Sequence, residues 1–390
     1  MHVIALANDR SPGSAYRARL PMEALAACGH RAEFVEWDQR LSPPPFEQLR
    51  RADVVHMWRL FRGPARKLAS ALKEAGVAVV FDNDDDMTRV PKGSPAYTEM
   101  KAARAQVASE LGAMLRLTDL VTTTCGELAG RLRRLGAAEA RVVENYVEDA
   151  FVRERRPGVG GDDVVVGWIA GLEHRGDLKE LRLRRALQQL LDAQPHVSLV
   201  SVGVDVGVRS ERYEHRDSMP FDELAGTIAR FDLALAPIAD VSFNRVRSNV
   251  KVKEYAAGGV PWLASPIGPY RELGERQGGR LVADFGWAEA LAELTADAGA
   301  RTALAERAAA WGRTQTVGRN AEAWEAVFAE AVERASGGAK RVAPARRATA
   351  AAGGARPVIP RPLAAPAPRA AADAEQPRRG LFRRRRAAAG

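Results

Sequence analysis

Residues 231–265 read FDLALAPIADVSFNRVRSNVKVKEYAAGGVPWLAS, and this stretch predicts a strand, a short helix and a second strand. The apolar runs at its two ends each have the length of a buried strand. Between them we expect a helix that begins near Asn249, with Ser248 as its N-cap, and that ends at Gly258 or Gly259. A unit of this kind is typical of a parallel α/β sheet.

The same alternation of apolar runs and helical patterns continues through the chain, and a polar, glycine-rich stretch at 153–163 interrupts it. The sequence therefore predicts an α/β protein with two doubly wound, Rossmann-like domains, residues 1–155 and 160–335, that face each other across a cleft. We expect the last helix, at about 318–335, to pack back on the N-terminal domain. The predicted strands are 2–7, 32–36, 53–57, 77–81, 120–124 and 142–143, followed by VVVGWIA, HVSLVSVG, FDLALAPI, VPWLAS and GRLVAD.

Composition and charge narrow the class of protein. Hydrophobic residues make up 46% of the 390 residues, which is enough for real cores. The net charge is +9, but residues 337–390 carry thirteen Lys or Arg and two Asp or Glu, so the remainder has a net charge of −2. By charge, the folded part is not a nucleic-acid-binding surface. Two cysteines, Cys28 and Cys125, are too few for a disulfide framework, and no signal peptide or membrane-spanning run is evident, so we expect a cytoplasmic protein.

The last residues, 337–390, are rich in Ala, Pro, Arg and Gly, and this composition predicts a disordered tail. Its LFRRRR motif, residues 381–386, suits peripheral contact with anionic lipid at the inner face of the cell membrane. A solvated tail without a partner is the open alternative. Nucleic acid is disfavoured because Phe382 is the only aromatic residue there.

The charged residues before and within the predicted helix of the opening stretch indicate a ligand site. Ligands bind at the carboxyl ends of parallel strands, and helix N-termini attract anions. Arg247 and Lys251 add positive charge there, while Lys251 and Glu254 are three positions apart and so share a face. The cations can bind a diphosphate, and the carboxylate can accept hydrogen bonds from the hydroxyls of a ribose. The competing interpretation is an exposed helix with a Lys–Glu pair worth roughly 0.2–0.5 kcal/mol.

A second loop with similar chemistry follows the predicted strand VVVGWIA. Gly171 allows a ligand to approach the backbone closely, and the next helix supplies free N–H groups for an anion. His174, Arg175 and Lys179 are the polar candidates around it. The alternative is that Asp177 caps the helix and that the basic residues are solvated.

Carboxylates cluster where a buried strand of the first half ends, at Asp82, Asp84, Asp85 and Asp86. Packed carboxylates repel one another, so they need a cation, a hydroxyl or water. Contact with an acceptor or donor hydroxyl and a solvated capping turn are both open interpretations. A phosphatase-like motif of Asp84, Asp86 and Thr88 with Mg²⁺ is disfavoured, because it would follow the first strand rather than a later one.

Four more polar side chains lie near predicted strand ends or early loops, and these are Tyr16, Arg17, His56 and Arg59. A histidine on an apolar strand, such as His56, is more often a core residue than a ligand. The spacing of Ser, His, Asp and Cys shows no nucleophilic triad and no metal-ligand pattern.

The segment around NRVRSNVKVKEY, residues 244–255, resembles the donor-site segment of glycosyltransferase family 4 and its close relatives, which have the GT-B fold. Four other segments agree with that family in order and spacing, and the resemblance covers about residues 1–335. These segments are SAYRARLPMEAL, VVFDNDDDMTRVP, DLVTTTCGELAGRLRRLG and GWIAGLEHRGDL.

The resemblance implies a retaining transfer of a sugar from a nucleoside-diphosphate sugar to a glycan, lipid-linked or other hydroxyl acceptor, in cell-envelope polysaccharide or glycoconjugate synthesis. It implies that Glu254 holds the donor ribose and that Arg247 and Lys251, with Arg175, neutralise the diphosphate, so that no metal cofactor is needed. The predicted site comprises catalytic Arg247, Lys251 and Glu254; donor-binding Gly13, Ser14, Gly171, His174, Arg175, Asn244 and Ser248; and acceptor-side Tyr16, Arg17, Asp82, Asp84 and Asp85.

Val246 departs from the family's usual motif, which has a second glutamate at this position. Asn244 or Arg245 is then expected to meet the sugar hydroxyls. Two alternatives to a transferase follow: a sugar-nucleotide 2-epimerase of the same fold, for which histidines are scarce in the matching loops, and a non-catalytic donor-binding partner protein, which Val246 motivates.

Overall fold

Two parallel β-sheets of six strands each organise the protein in the computed structural model, which describes residues 1–153 and 163–337. The described residues belong to one compact unit. This architecture confirms the predicted α/β class with two doubly wound sheets. The predicted domain boundary at 155–160 and the predicted tail at 338–390 lie outside the described residues, so both stay predictions.

The first sheet has the strand order β2-β1-β3-β4-β5-β6, and its central strands are near-continuous apolar runs because helices cover both faces. Ala5 in β1, for example, pairs with Phe34 on one side and His56 on the other. The strands are β1 His2–Ala7, β2 Arg31–Glu36, β3 Val54–Trp58, β4 Ala78–Asp82, β5 Leu120–Thr123 and β6 Ala140–Val142. The helices are α1 Pro12–Ser14, a π-helical turn Ala15–Arg19, α2 Leu20–Ala27, α3 Phe46–Leu49, α4 Gly63–Glu74, α5 Tyr97–Ala102, α6 Arg104–Leu117 and α7 Gly126–Leu135.

The second sheet has the order β12-β11-β10-β7-β8-β9, so the direction of winding reverses between β7 and β10, as it does between β1 and β3 in the first sheet. The strands are β7 Val164–Ala170, β8 Val197–Gly203, β9 Tyr213–Arg216, β10 Leu233–Ala236, β11 Trp262–Ala264 and β12 Gly279–Leu281. The helices are α8 Arg175–Glu180, α9 Leu183–Ala193, α10 Leu224–Ile228, α11 Val250–Ala257, α12 Trp287–Ala296, α13 Ala298–Gly312 and α14 Ala321–Ala335. Strand β9 was not predicted from the sequence. The reversal points are where parallel sheets bind ligands.

The last helix, α14, leaves the second sheet and packs on the first, where Trp324 and Phe328 are buried in the core. The chain therefore crosses between the sheets twice. The two crossings are joined by a parallel bridge between Val147 and Thr316, with a hydrogen bond from the Val147 amide to the Gln315 carbonyl at 3.0 Å and one from the Val317 amide to the Val147 carbonyl at 2.8 Å. In the part of the chain that the structure describes, no helix combines the length and hydropathy that crossing a bilayer requires.

Candidate functional site

The two reversal points meet across the space between the sheets. Tyr16 follows β1 and contacts Glu254, which follows β10. Gly93 follows β4 and lies against α8, which follows β7, so closely that a Cβ atom on Gly93 would be 2.8 Å from the backbone nitrogen of Gly176. The loops after the carboxyl ends of both sheets thus form one common region, and the predicted catalytic residues lie in it.

Glu254 is the buried centre of this region. Its Oε2 accepts a hydrogen bond from Lys251 Nζ at 2.7 Å, so the neighbours that the sequence spacing predicts do form an ion pair. Its Oε1 accepts a hydrogen bond from the Tyr16 hydroxyl at 2.5 Å. Burial, the charge of Glu254 and this hydrogen bond raise the pKa of Tyr16 well above its usual value, so the hydroxyl keeps its proton and remains a donor.

Arg247, in the loop before α11, pairs with Glu173, whose Oε1 is 3.1 Å from Arg247 Nη2. Burial opposes the charge of Arg247, but Asp85 and Glu173 outweigh that effect and raise its pKa. Burial also opposes ionisation of Glu173, yet Arg247 and His174 hold the pKa of that carboxyl below its usual value. The Glu173 carboxylate folds back over Gly171, and a Cβ atom on Gly171 would lie 2.3 Å from Glu173 Oε2, so the carboxylate would have to shift if this residue carried a side chain.

Arg59 holds two of the clustered aspartates, Asp84 and Asp85, and Asp85 lies within electrostatic reach of Arg247. Arg59 Nε is 2.6 Å from Asp84 Oδ1 and Nη2 is 2.5 Å from Asp85 Oδ2, while the Trp58 indole donates to Asp84 at 3.0 Å. Arg59 has a φ of +52°, a conformation that costs free energy in a residue other than glycine and that clusters at functional sites. Burial raises the pKa of Asp85, whereas Asp84, although buried, has a lowered pKa because of Arg59.

Asp86 belongs to a capping turn rather than to this group. Its Oδ1 accepts hydrogen bonds from the amide and the hydroxyl of Thr88, and its Oδ2 is 2.7 Å from Arg131. Across residues 1–153 and 163–337, no group of three or more His, Cys, Asp or Glu side chains is arranged to hold a metal ion. The geometry therefore gives no support to the phosphatase-like interpretation of Asp84, Asp86 and Thr88.

Arg17 and Asp82, predicted on the acceptor side, are fully buried and bind each other, with Arg17 Nη2 2.6 Å from Asp82 Oδ2. Arg17 also donates to the Val143 carbonyl and to Asn145, and its guanidinium stacks over Trp324. These contacts tie the π-helical turn to β4, to the first crossing and to α14. The geometry favours a structural role for the pair, and acceptor contact by either residue stays a prediction.

The predicted donor-binding residues have varied surroundings. A Cβ atom on Gly13 would lie 2.8 Å from the Trp58 ring, so this glycine permits close packing. The buried Ser14 hydroxyl donates to the Ser11 carbonyl at 2.9 Å. Arg175 is exposed at the first residue of α8. Their roles in donor binding remain predictions.

Two predicted helix caps are wrong. Asn249, without a side-chain cap, precedes α11, while the Ser248 hydroxyl instead accepts a hydrogen bond from Asn145 at 3.1 Å. Asp177 lies inside α8, where one oxygen faces His174 Nδ1 at 2.6 Å and the other accepts from Asn244 at 2.8 Å. Asn244 is thereby held in the interior and links the loop after β10 to α8.

Three residues of this region are not among the predicted site residues. Glu173 pairs with the predicted cation Arg247, but one acidic residue in a polar loop is unremarkable. Tyr270 is buried within electrostatic reach of Arg247 and Glu254, and burial raises its pKa. Lys253 is buried, with its Nζ 2.5 Å from Glu144 and 4.4 Å from the centre of the Tyr146 ring. Burial lowers the pKa of Lys253.

The architecture is similar to that of several solved structures at low sequence identity. Alr3699/HepE from Anabaena, in complex with UDP and glucose, superimposes with a TM-score of 0.60 at 15% identity over 84% of this chain and 98% of that chain. Sucrose-phosphate synthase from Thermosynechococcus elongatus superimposes with a TM-score of 0.57 at 15% identity, over 84% of this chain and 96% of that chain. A UDP-forming α,α-trehalose-phosphate synthase from Burkholderia xenovorans superimposes with a TM-score of 0.53 at 13% identity, over 84% of this chain and 99% of that chain. No family model and no curated protein sequence matches the chain. The fold is GT-B-like.

Proposed function

We propose that the protein is a retaining glycosyltransferase similar to family 4, which moves a hexosyl group from a nucleoside-diphosphate sugar to a hydroxyl of a glycan or lipid-linked acceptor. The synthesis of a cell-envelope polysaccharide or glycoconjugate is the setting that this chemistry suits. The observation that carries the proposal is that the segment after β10 presents three charged side chains to loops of the first sheet. Glu254, paired with Lys251, accepts a hydrogen bond from Tyr16, and Arg247 lies within electrostatic reach of Asp85. The GT-B-like fold supports it, because one relative was solved with UDP and glucose and another is UDP-forming.

In the proposed reaction Glu254 accepts hydrogen bonds from the ribose diol, and Arg247 and Lys251 balance the charge of the diphosphate. The bond from the anomeric carbon to the donor phosphate oxygen breaks while a bond to the acceptor oxygen forms on the same face. The leaving phosphate takes the acceptor's proton. Both cations gain importance as negative charge grows on the leaving group, so their contribution is largest in the transition state.

Both cations are paired with carboxylates, and the diphosphate must compete for them. Arg247 is 3.1 Å from Glu173 and Lys251 is 2.7 Å from Glu254. Each cation is about one quarter exposed, so a ligand can reach it from the space between the sheets. Asp84 and Asp85 lie on the opposite side of that space and are the groups that we assign to the acceptor hydroxyl.

One observation favours a second candidate, a donor-binding protein without transferase activity. Val246 is fully buried in the core of the first sheet, and the Cys125 thiol donates to its carbonyl at 3.5 Å. The position that holds a second glutamate in the family is therefore closed to ligand. No comparable observation favours the 2-epimerase.

Release of nucleoside diphosphate from a panel of UDP-, GDP- and ADP-hexoses tests the proposal on the full chain. A transferase is expected to hydrolyse its donor slowly and to release the diphosphate, with or without EDTA. An epimerase would change the sugar without release, and a binding protein would do neither. Glu254→Ala is expected to abolish donor binding in calorimetry, whereas Glu180→Ala, at an exposed position on α8, is the matched control. Unchanged donor affinity in Glu254→Ala contradicts the proposed site.

We place this activity in the cytoplasm, where nucleotide sugars are available. Contact of the Arg-rich motif at 381–386 with anionic lipid would bring the enzyme to a lipid-linked acceptor, and it remains a prediction for residues outside the described part of the chain.

A further inference from the structure

Tyr16 holds the carboxylate that the proposed function assigns to the donor ribose. Its hydroxyl is 2.5 Å from Glu254 Oε1, and Lys251 Nζ is 2.7 Å from Oε2. Both oxygens of a buried carboxylate therefore receive hydrogen bonds from the protein's own side chains. A buried carboxylate without such partners would be strongly disfavoured, which gives the tyrosine hydroxyl a clear energetic role.

The local structure around Tyr16 is unusual for a core tyrosine. The residue lies in the π-helical turn Ala15–Arg19, which interrupts one continuous helical stretch between α1 and α2. Single π-helical turns are rare and often occur at functional sites. The ring is 96% buried and meets the edge of Phe221 with centroids 5.4 Å apart. A cavity of about 500 Å³, lined by Ser14, Ala15 and Phe221 among others, borders the same turn.

A ribose diol presents the same hydrogen-bond donors as a tyrosine hydroxyl. We propose that Tyr16 is a positioning residue of the donor site, which orients the Glu254 carboxylate and gives way to the ribose hydroxyls of a nucleoside diphosphate. The inference rests on the proposed function, because it requires Glu254 to contact the ribose. Ligand binding then exchanges one hydrogen bond to Glu254 for another instead of adding one.

Removal of the hydroxyl abolishes this exchange. In Tyr16→Phe the incoming ribose no longer displaces a partner of Glu254, so we expect the affinity for UDP to rise by about tenfold, the change that corresponds to one hydrogen bond to a charged group. The same variant without ligand is expected to melt at a lower temperature, because Glu254 loses a donor. A tyrosine with a purely structural role would lower stability without raising affinity.

Calorimetry with UDP and with its 2′,3′-dideoxy analogue tests the inference. Tyr16→Phe is expected to bind UDP about tenfold more tightly and to bind the dideoxy analogue with unchanged affinity, since the analogue cannot compete for Glu254. Tyr213→Phe is the matched control, because its hydroxyl bonds to Ser201 and Asp205 at the edge of the second sheet. It is expected to leave both affinities unchanged.

The outcomes separate this inference from the proposed function. Unchanged or weaker UDP binding by Tyr16→Phe, with binding abolished in Glu254→Ala, overturns the role of Tyr16 and leaves the proposed site standing. UDP binding that survives Glu254→Ala overturns both. If Tyr16→Phe does not fold, hydrogen exchange on the unaltered chain decides: UDP is expected to speed amide exchange in residues 16–20, and slower exchange there would overturn the inference.

Discussion

Acidification is expected to destabilise the first sheet through His56. The side chain is fully buried on β3, its Nε2 is 2.9 Å from the Arg17 carbonyl, and its ring meets Trp324 and Phe328 of α14 edge-on at 5.4 and 5.5 Å. Burial lowers the pKa of His56 from 6.5 to about 4; the charge of Asp82 opposes this effect and that of Arg17 adds to it. The folded protein thus keeps His56 neutral over a range in which the unfolded chain binds a proton.

The magnitude follows from the difference between the two pKa values. Above pH 6.5 His56 is neutral in both the folded and the unfolded state, so its ionisation takes nothing from the free energy of unfolding. As the pH falls from 6.5 to about 4, the unfolded state binds a proton that the folded state does not, so stability decreases with falling pH. A difference of about 2.5 pKa units at 1.36 kcal/mol each amounts to roughly 3 kcal/mol.

Urea unfolding between pH 7 and pH 4 measures this effect when the unaltered protein is compared with His56→Gln. Glutamine keeps an N–H group for the Arg17 carbonyl and does not titrate. We expect the free energy of unfolding to fall by about 3 kcal/mol more in the unaltered protein than in the variant over this range. The comparison uses the slope with pH, so a general loss of stability in the variant does not matter. Parallel curves for the two proteins would refute the reasoning.

Three further predictions concern Gly93, Trp324 and Glu173. Gly93→Ala places a Cβ atom 2.8 Å from a backbone nitrogen at α8, so we expect about a tenfold loss of turnover with little change in melting temperature. Gly63→Ala is the control, because a Cβ atom there meets nothing within 4 Å. Equal turnover in the two variants would contradict the prediction. Trp324→Ala is expected to lower the free energy of unfolding in urea by about 3–5 kcal/mol, and a loss below 1 kcal/mol would show that α14 adds little to the first core. Glu173→Gln removes the anion that competes for Arg247, so UDP should bind about fivefold more tightly in calorimetry, and weaker binding would count against a diphosphate at Arg247.

Apolar runs identified the buried strands, because a strand covered on both faces must be apolar along its length. β7 illustrates this, since its VVVGWIA sequence is almost entirely buried. β9 has the opposite character: its YEHR sequence is half-buried, it lies at the sheet edge and it pairs only with β8. Its extended conformation comes from that tertiary partner, and the four residues alone carry no strand pattern.

The contacts of the candidate site are likewise of two kinds: some follow from local sequence spacing, and others join residues far apart in the sequence. The Lys251–Glu254 pair follows from the three-residue spacing on a helix, so the sequence predicts it. The Tyr16–Glu254 hydrogen bond joins residues that follow strands of different sheets and lie 238 positions apart in the chain, so no local sequence pattern could reveal it. Arg17 was assigned to the acceptor side because it lies in an early loop and its Tyr-Arg pair matches the family that the sequence resembles, whereas burial, which only the folded structure defines, favours a structural ion pair.

The bridge between Val147 and Thr316 bears on how the protein could move. The outgoing and the returning segments are joined there by two backbone hydrogen bonds, so a rotation of one sheet relative to the other that preserves these bonds would pivot close to the bridge. In such a rotation, residues close to the bridge would move less than residues farther from it. A small rotation would therefore separate residues far from the bridge while leaving its two hydrogen bonds intact.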